Sequence, residues 1–133
     1  QVVLLALHTH IRHYMKTILL VEDDKLIQKT VEVKLKKEGF NLVSCSDGKE
    51  GLEQLEAVMP DLVLTDLMLP YASGLEIVRA VKAIESKTIP VIVYSTMGQE
   101  HIIEEAFNLG ADDYITKPFN LIELVIRIKR QLR

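Results

Sequence analysis

The chain has 133 residues, 48% of them hydrophobic and 26% charged, with a formal net charge of −3. That length suits one domain with a sizeable core, and the mild acidity gives no support for a nucleic-acid-binding face within this chain. A single cysteine, Cys45, excludes an internal disulfide framework and fits a reducing cytosol, while the absence of Trp leaves a mainly aliphatic core.

The first 14 residues stand apart. The apolar run 2–7 is far shorter than the roughly 20 residues needed to cross a bilayer. It lacks the basic flank and the small-residue cleavage site of a signal peptide. Met15 precedes the first strong element and is a natural start. Residues 1–14 therefore read as a tail, a linker or a segment added by cloning, and residues 15–133 as the folded domain. His8, His10 and His13 read as solvated tail residues rather than metal ligands.

Beyond Met15 two patterns alternate. Residues 17–22 (TILLVE) are too short for a helix and suit a buried strand. Asp24 is placed to N-cap a helix. Leu26, Ile27, Val31, Val33 and Leu35 recur in it at near-helical spacing, up to a natural stop at Gly39. Residues 40–46 read as a second strand and Asp47-Gly48 as a turn. Leu52 and Leu55 set the inner face of a short helix that Pro60 halts.

The third strand, 62–65 (LVLT), ends at Asp66. A loop at 70–74 (PYASG) leads to a helix carrying Leu75, Ile77, Val78, Val81 and Ile84. Pro90 opens a fourth strand at 91–94, and a fourth helix spans 100–109, stopped by Gly110. The last strand is expected at 111–116 and the last helix at 119–132. Five strands alternating with five helices predict an α/β fold, a parallel sheet covered on both faces by right-handed crossovers. In such sheets ligands bind beyond the carboxyl ends of the strands, near the switch in strand order.

Those strand ends carry Glu22 and Asp23, then Asp66, then Ser95 and Thr96, then Lys117. Three carboxylates close together repel unless a cation offsets them. Oxygen ligands with room for water suit Mg²⁺. Lys117 supplies a point charge for a phosphate oxygen and Ser95 a hydrogen bond. Phosphoryl transfer needs chiefly such positioning and neutralisation. Singly each signal is weak. An acidic pair after a strand is usually a cap or solvated turn, a lone Asp after LVLT is most often a cap, and a Lys-Pro pair is common. Their arrival at four strand ends in one register outweighs these readings.

The segments ILLVEDD, DLVLTDLMLP, PVIVYST and GADDYITKPF resemble the four signature segments of response-regulator receivers, over about residues 16–132. The resemblance implies a doubly wound, flavodoxin-like sheet of strand order 2-1-3-4-5 with five helices. It implies a cytoplasmic phosphorylation switch rather than an enzyme. A sensor histidine kinase or phosphotransfer protein would donate phosphate from a phosphohistidine to Asp66, with Mg²⁺ or Mn²⁺. Glu22, Asp23, Asp66 and the Met68 main-chain carbonyl become the metal ligands. Lys117, Ser95 and the Thr96 N–H become phosphate contacts, Ser95 and Tyr114 the switch pair, and Lys117–Pro118 a cis bond. Glu22 stands where Asp is frequent, Thr96 where Ala or Gly is usual, and PYASG lacks the acid or amide often found before the glycine. By the same resemblance the apolar Met68 and Met97 flank the phosphate and, with bulky Thr96, are expected to slow its hydrolysis.

Other chemistries fit less well. A haloacid-dehalogenase-type phosphatase needs a second Asp two residues after the first, where this chain has Met68. A P-loop motif is absent. A flavin carrier wants a Ser/Thr/Gly-rich loop where Glu22-Asp23-Asp24 stands. A pseudo-receiver normally loses acidic residues that are all retained here.

The last segment, KPFNLIELVIRIKRQLR, resembles receivers that continue into a winged-helix DNA-binding domain. An excised receiver and a single-domain regulator both remain open. In that group phosphorylation promotes a homodimer through the fourth helix, fifth strand and fifth helix. Asp113 and Arg127 match one charged pair and Glu123 an acid of another, whose basic partner is replaced by Ile103. Ile103 and Phe107 lie one helical turn apart, as do Ile122 and Ile126. Leu121, Leu124, Val125, Ile128 and Leu132 already supply an inward face. Ile122 and Ile126 are therefore expected to point partly outward beside Ile103 and Phe107, as an apolar patch for dimerisation or docking. The plainer reading is a widened core face. Neither direct nucleic-acid contact nor a membrane is expected.

Overall fold

Ile18, Leu19, Leu20 and Val21 are all buried, and a strand buried at consecutive residues needs cover on both faces. The computed structural model, which describes residues 16–96 and 98–133, supplies that cover. The expectations for residues 1–14, Met15 and Met97 lie outside the described residues. In chain order the elements are β1 (Thr17–Val21), α1 (Lys25–Lys37), β2 (Asn41–Cys45), α2 (Gly48–Val58), β3 (Leu62–Asp66), α3 (Gly74–Lys82), β4 (Val91–Thr96), α4 (Glu100–Asn108), β5 (Asp113–Lys117) and α5 (Leu121–Gln131). The strands are parallel and ordered β2-β1-β3-β4-β5, as the resemblance implies.

Alternate strand residues face opposite layers. Leu19, Val21, Val63, Val91 and Val93 pack with Leu55 of α2, Ile77, Val78 and Val81 of α3, and Ala106 of α4. Ile18, Leu20, Leu62, Leu64, Ile92 and Tyr94 pack with Val31 and Leu35 of α1 and Leu124, Val125 and Ile128 of α5. Strand order reverses at β1, whose neighbours are β2 and β3, so a crevice opens beyond the carboxyl ends of β1 and β3.

Capping sets where the helices start. Asp24 accepts from the N–H groups of Leu26 and Ile27, as expected. Asp47, expected in a turn, caps α2 by accepting from the Glu50 N–H. Asn120 accepts from Ile122 and Glu123, so α5 begins at Leu121 and Phe119 lies ahead of it rather than inside it. β4 runs two residues further than expected, because Ser95 and Thr96 still partner Thr116 and Lys117 of β5. Ile84 falls beyond the end of α3 but still packs against the core.

One close approach fixes the site's floor. A Cβ on Gly74 would stand 2.3 Å from the Asp66 main-chain oxygen and 2.6 Å from the Leu67 Cα. The Gly74 N–H donates to the Leu67 carbonyl at 3.0 Å. The first turn of α3 thus lies directly against the chain leaving β3. Gly74→Ala is expected to lower the unfolding free energy by about 1–3 kcal/mol, because both obstructing atoms are backbone and must move. Urea unfolding should show a lower midpoint at unchanged slope; a wild-type midpoint would contradict the tight approach.

Candidate functional site

β1 and β3 lie side by side with Val21 opposite Thr65. The residues that follow this pair, Glu22 and Asp66, therefore emerge next to each other. Glu22 is wholly buried, Asp66 is 5% exposed, and Asp23 faces solvent. One carboxylate oxygen from each of Glu22, Asp23 and Asp66 lies within 4.8 Å of the others. Lys117 closes β5, two strands from β3. Its ammonium reaches 2.6 Å from Asp66 Oδ2 and 3.1 Å from Glu22 Oε1. All four of these expected residues thus meet at one point, and the Lys117–Pro118 bond is cis.

Burial pushes the Glu22 carboxyl above the usual carboxylate range. The Asp24 N–H, the Tyr94 hydroxyl and the Lys117 ammonium pull it back only in part. Burial also opposes the charge on Lys117, but Asp66 and Glu22 outweigh it and hold the ammonium above the ordinary lysine value. Three acids against one ammonium leave negative charge uncompensated. The all-oxygen donor set, with Asp23 open to water, fits a hard divalent cation such as Mg²⁺. Cys45 takes no part, since burial raises its thiol to about 12.

Of the remaining expected residues, Met68 touches this cluster through its main chain. The Met68 N–H donates to Asp66 Oδ1 at 3.0 Å, which ties the main chain of residue 68 to the acid, while the Met68 side chain is exposed. Ser95 is buried and its hydroxyl donates to the Thr96 carbonyl at 3.3 Å; Thr96 itself is exposed. Tyr114 is half-buried, with its hydroxyl 2.9 Å from Thr116 Oγ1.

Two residues escaped sequence reasoning. Tyr94 reads there as strand filler, yet its hydroxyl donates to Glu22 Oε1 at 2.9 Å. The Gln28 side chain donates to the carbonyls of Glu22 and Cys45, both at 3.1 Å, tying the ends of β1 and β2 together. A hydroxyl inside an apolar strand, and an amide one turn after the Asp24 cap, were the available signals.

On the far side, Ile122 and Ile126 of α5 are 65% and 60% exposed and Phe107 of α4 is 45% exposed. Ile103, also on α4, is half-buried and packs against the core. The charged residues are engaged within the chain, with Arg127 at 2.7 Å from Asp113 and 2.9 Å from Glu123, and Arg130 at 3.0 Å from Asp113.

The family described as response regulator receiver domain matches residues 18–129. The chain belongs to that family. The receiver is 38% identical over 116 residues to response regulator RR06 of Streptococcus pneumoniae, covering 87% of this chain and 52% of that protein. It is 38% identical over 116 residues to the transcriptional regulatory protein CseB of Streptomyces coelicolor, covering 87% and 49%. The chain thus spans about half the length of the curated relatives it matches. Among solved structures it resembles the receiver domain of sensor histidine kinase PA1611 from Pseudomonas aeruginosa, described with a magnesium ion coordinated in the active-site cleft. That match has a TM-score of 0.79 and 29% identity, covering 88% of this chain and 97% of that one. As a receiver domain, the chain is a phosphorylation switch of two-component signalling.

Ionised Glu22 burdens the metal-free fold, because its folded carboxyl is raised above the unfolded one. Glu22→Gln is therefore expected to raise the urea midpoint of the metal-free protein at neutral pH. The gain should vanish at low pH, where the wild-type carboxyl is protonated in both states, and grow as pH climbs from the unfolded carboxyl's range through the raised folded value. A midpoint at or below wild type at every pH would contradict this electrostatic account.

Proposed function

We propose that Asp66 accepts a phosphoryl group from the phosphohistidine of a sensor histidine kinase or phosphotransfer protein, or from a small acyl phosphate, in a reaction that requires Mg²⁺ or Mn²⁺. One observation carries the reading: the Lys117 ammonium sits 2.6 Å from Asp66 Oδ2 within a cluster of three carboxylates at the switch in strand order. An Asp66 oxygen attacks phosphorus in line with the departing imidazole. The P–N bond breaks, its electron pair stays on the imidazole nitrogen, and solvent supplies that nitrogen's proton. Glu22, Asp23, Asp66 and the Met68 carbonyl would hold the divalent cation, which would supply neutralisation of the charge spread over the phosphoryl oxygens.

In this reading Lys117 and the Thr96 N–H hold phosphoryl oxygens. The Ser95 hydroxyl leaves the Thr96 carbonyl for the phosphoryl group, and Tyr114 turns into the space Ser95 vacates. This is a two-state shift driven by a contact that exists in one state only. Beyond promoting its own phosphorylation and dephosphorylation, the domain catalyses nothing. Residues 15–133 form the receiver, acting in the cytoplasm; no helix among the described residues is long and apolar enough to cross a membrane. The output passes through protein contact or through an effector domain elsewhere in a longer regulator.

We also assign Phe107, Ile122 and Ile126, with Asp113, Glu123 and Arg127, to a phosphorylation-promoted homodimer face on α4, β5 and α5. Exposed isoleucines on α5 support it. Ile103 contributes from beneath, through the packing of α4.

Incubation with acetyl phosphate and Mg²⁺ should add one phosphoryl group by intact mass, and Asp66→Ala or excess chelator should abolish it. Labelling of Asp66→Ala at wild-type level would overturn the assignment. Ile126→Glu should fold normally and reduce self-association in beryllofluoride, read by sedimentation. A variant that unfolds places Ile126 in the core, and one that associates like wild type removes α5 from the interface.

A further inference from the structure

Tyr94 is among the largest fully buried side chains, and its ring lies in the α1/α5 core layer. Packing alone would account for a Phe there. The hydroxyl is what needs explaining, because burying one without a partner is costly. It lies 2.9 Å from Glu22 Oε1 and 3.3 Å from the Val21 carbonyl, and its single hydrogen goes to the nearer, charged oxygen. The same ring has the Lys117 ammonium 5.2 Å from its centroid and Phe119 edge-on at 5.4 Å. Tyr94 therefore touches the acid after β1, the lysine that closes β5 and the loop leading to α5.

Glu22 Oε1 accepts from the Tyr94 hydroxyl at 2.9 Å and lies 3.1 Å from the Lys117 ammonium as an ion pair; the other oxygen accepts from the Asp24 N–H at 3.0 Å and from Lys117 at 3.5 Å. A glutamate has one more side-chain torsion than an aspartate, so a buried carboxylate on the longer stem needs an added anchor to hold one orientation. Without the hydroxyl, Oε1 would depend on Lys117, drawing the ammonium from Asp66 Oδ2 toward Glu22.

We infer that Tyr94 is a positioning residue of the phosphorylation site: its hydroxyl anchors the Glu22 carboxylate for metal binding and leaves Lys117 free to serve Asp66. This rests on the reading of the site given above. Partners that orient acidic ligands in this way typically change metal affinity by about 10–100-fold when removed.

The test is calorimetric titration of Mg²⁺ into the wild-type protein, Tyr94→Phe, Glu22→Gln and the double variant. Tyr94→Phe keeps the ring, so packing against the core and Phe119 persists. It is expected to weaken Mg²⁺ binding by about 10-fold or more. In the Glu22→Gln background the same change should add little, because the hydroxyl acts through that carboxylate. Wild-type affinity in Tyr94→Phe would overturn the inference while leaving the site reading intact, and so would fully additive losses in the double variant. A wild-type protein that binds no Mg²⁺ would overturn the site reading and the inference with it. Should Tyr94→Phe fail to fold, the hydroxyl proton in the wild type decides by nuclear magnetic resonance. Slow exchange and a shift on adding Mg²⁺ are expected; fast exchange with no shift would overturn the inference.

Discussion

The contact on which the rest depends is the bridge from Lys117 to Asp66 and Glu22. It joins the last residues of β5 and β3 to the residue that follows β1, with β4 between the first two. An ammonium on a four-carbon stem spans that distance only if the register is held across the sheet. Asp66 opposite Tyr94, and Thr96 opposite Lys117, are that register. A one-residue slip would turn Asp66 and Lys117 to opposite faces. Pairing also makes the burial tolerable. Charges taken out of water are costly unless matched by a partner in good geometry. Here the match is incomplete, with more acid than base, and the fold carries this imbalance as a local liability of the kind functional sites retain.

The two apolar layers around the sheet make that liability affordable. Consecutive buried strand residues send side chains alternately to the α2/α3/α4 layer and the α1/α5 layer. The polar site occupies only the carboxyl edge. Tyr94 stands at the boundary, its ring in the core layer and its hydroxyl in the charge cluster. The tight start of α3 against Asp66 and Leu67 closes the floor from the other side.

Away from the site, α5 divides cleanly. Leu124, Val125 and Ile128 are buried, whereas Ile122 and Ile126 project into solvent. Arg127 and Arg130 converge on Asp113 beside them. A charge pair closed within the chain can still be exchanged for a pair across an interface at little cost, since exposed ion pairs contribute only ~0–1 kcal/mol. That makes the apolar residues, rather than the charges, the part of this face with free energy to gain from burial.

Strand and helix order, the parallel sheet and the convergence of Glu22, Asp23, Asp66 and Lys117 were legible in the linear sequence. Each rests on local signals: short apolar runs, caps such as Asp24, and polar residues placed directly after a run. Element ends were less legible, because β4 is prolonged by pairing with β5 and α5 is delayed by the Asn120 cap, both acts of neighbours distant or competing in sequence. The depth of Ile103 was less legible for a related reason: helical spacing gives a face, but only packing decides how deep that face lies. The roles of Tyr94 and Gln28 left only faint local signals, a hydroxyl within an apolar strand and an amide one turn after a cap. Their partners lie 72 and 17 residues away for Tyr94 to Glu22 and Gln28 to Cys45. Hydrogen bonds across such separations are set by the closed sheet, so tertiary structure alone decided which hydroxyl meets which acid.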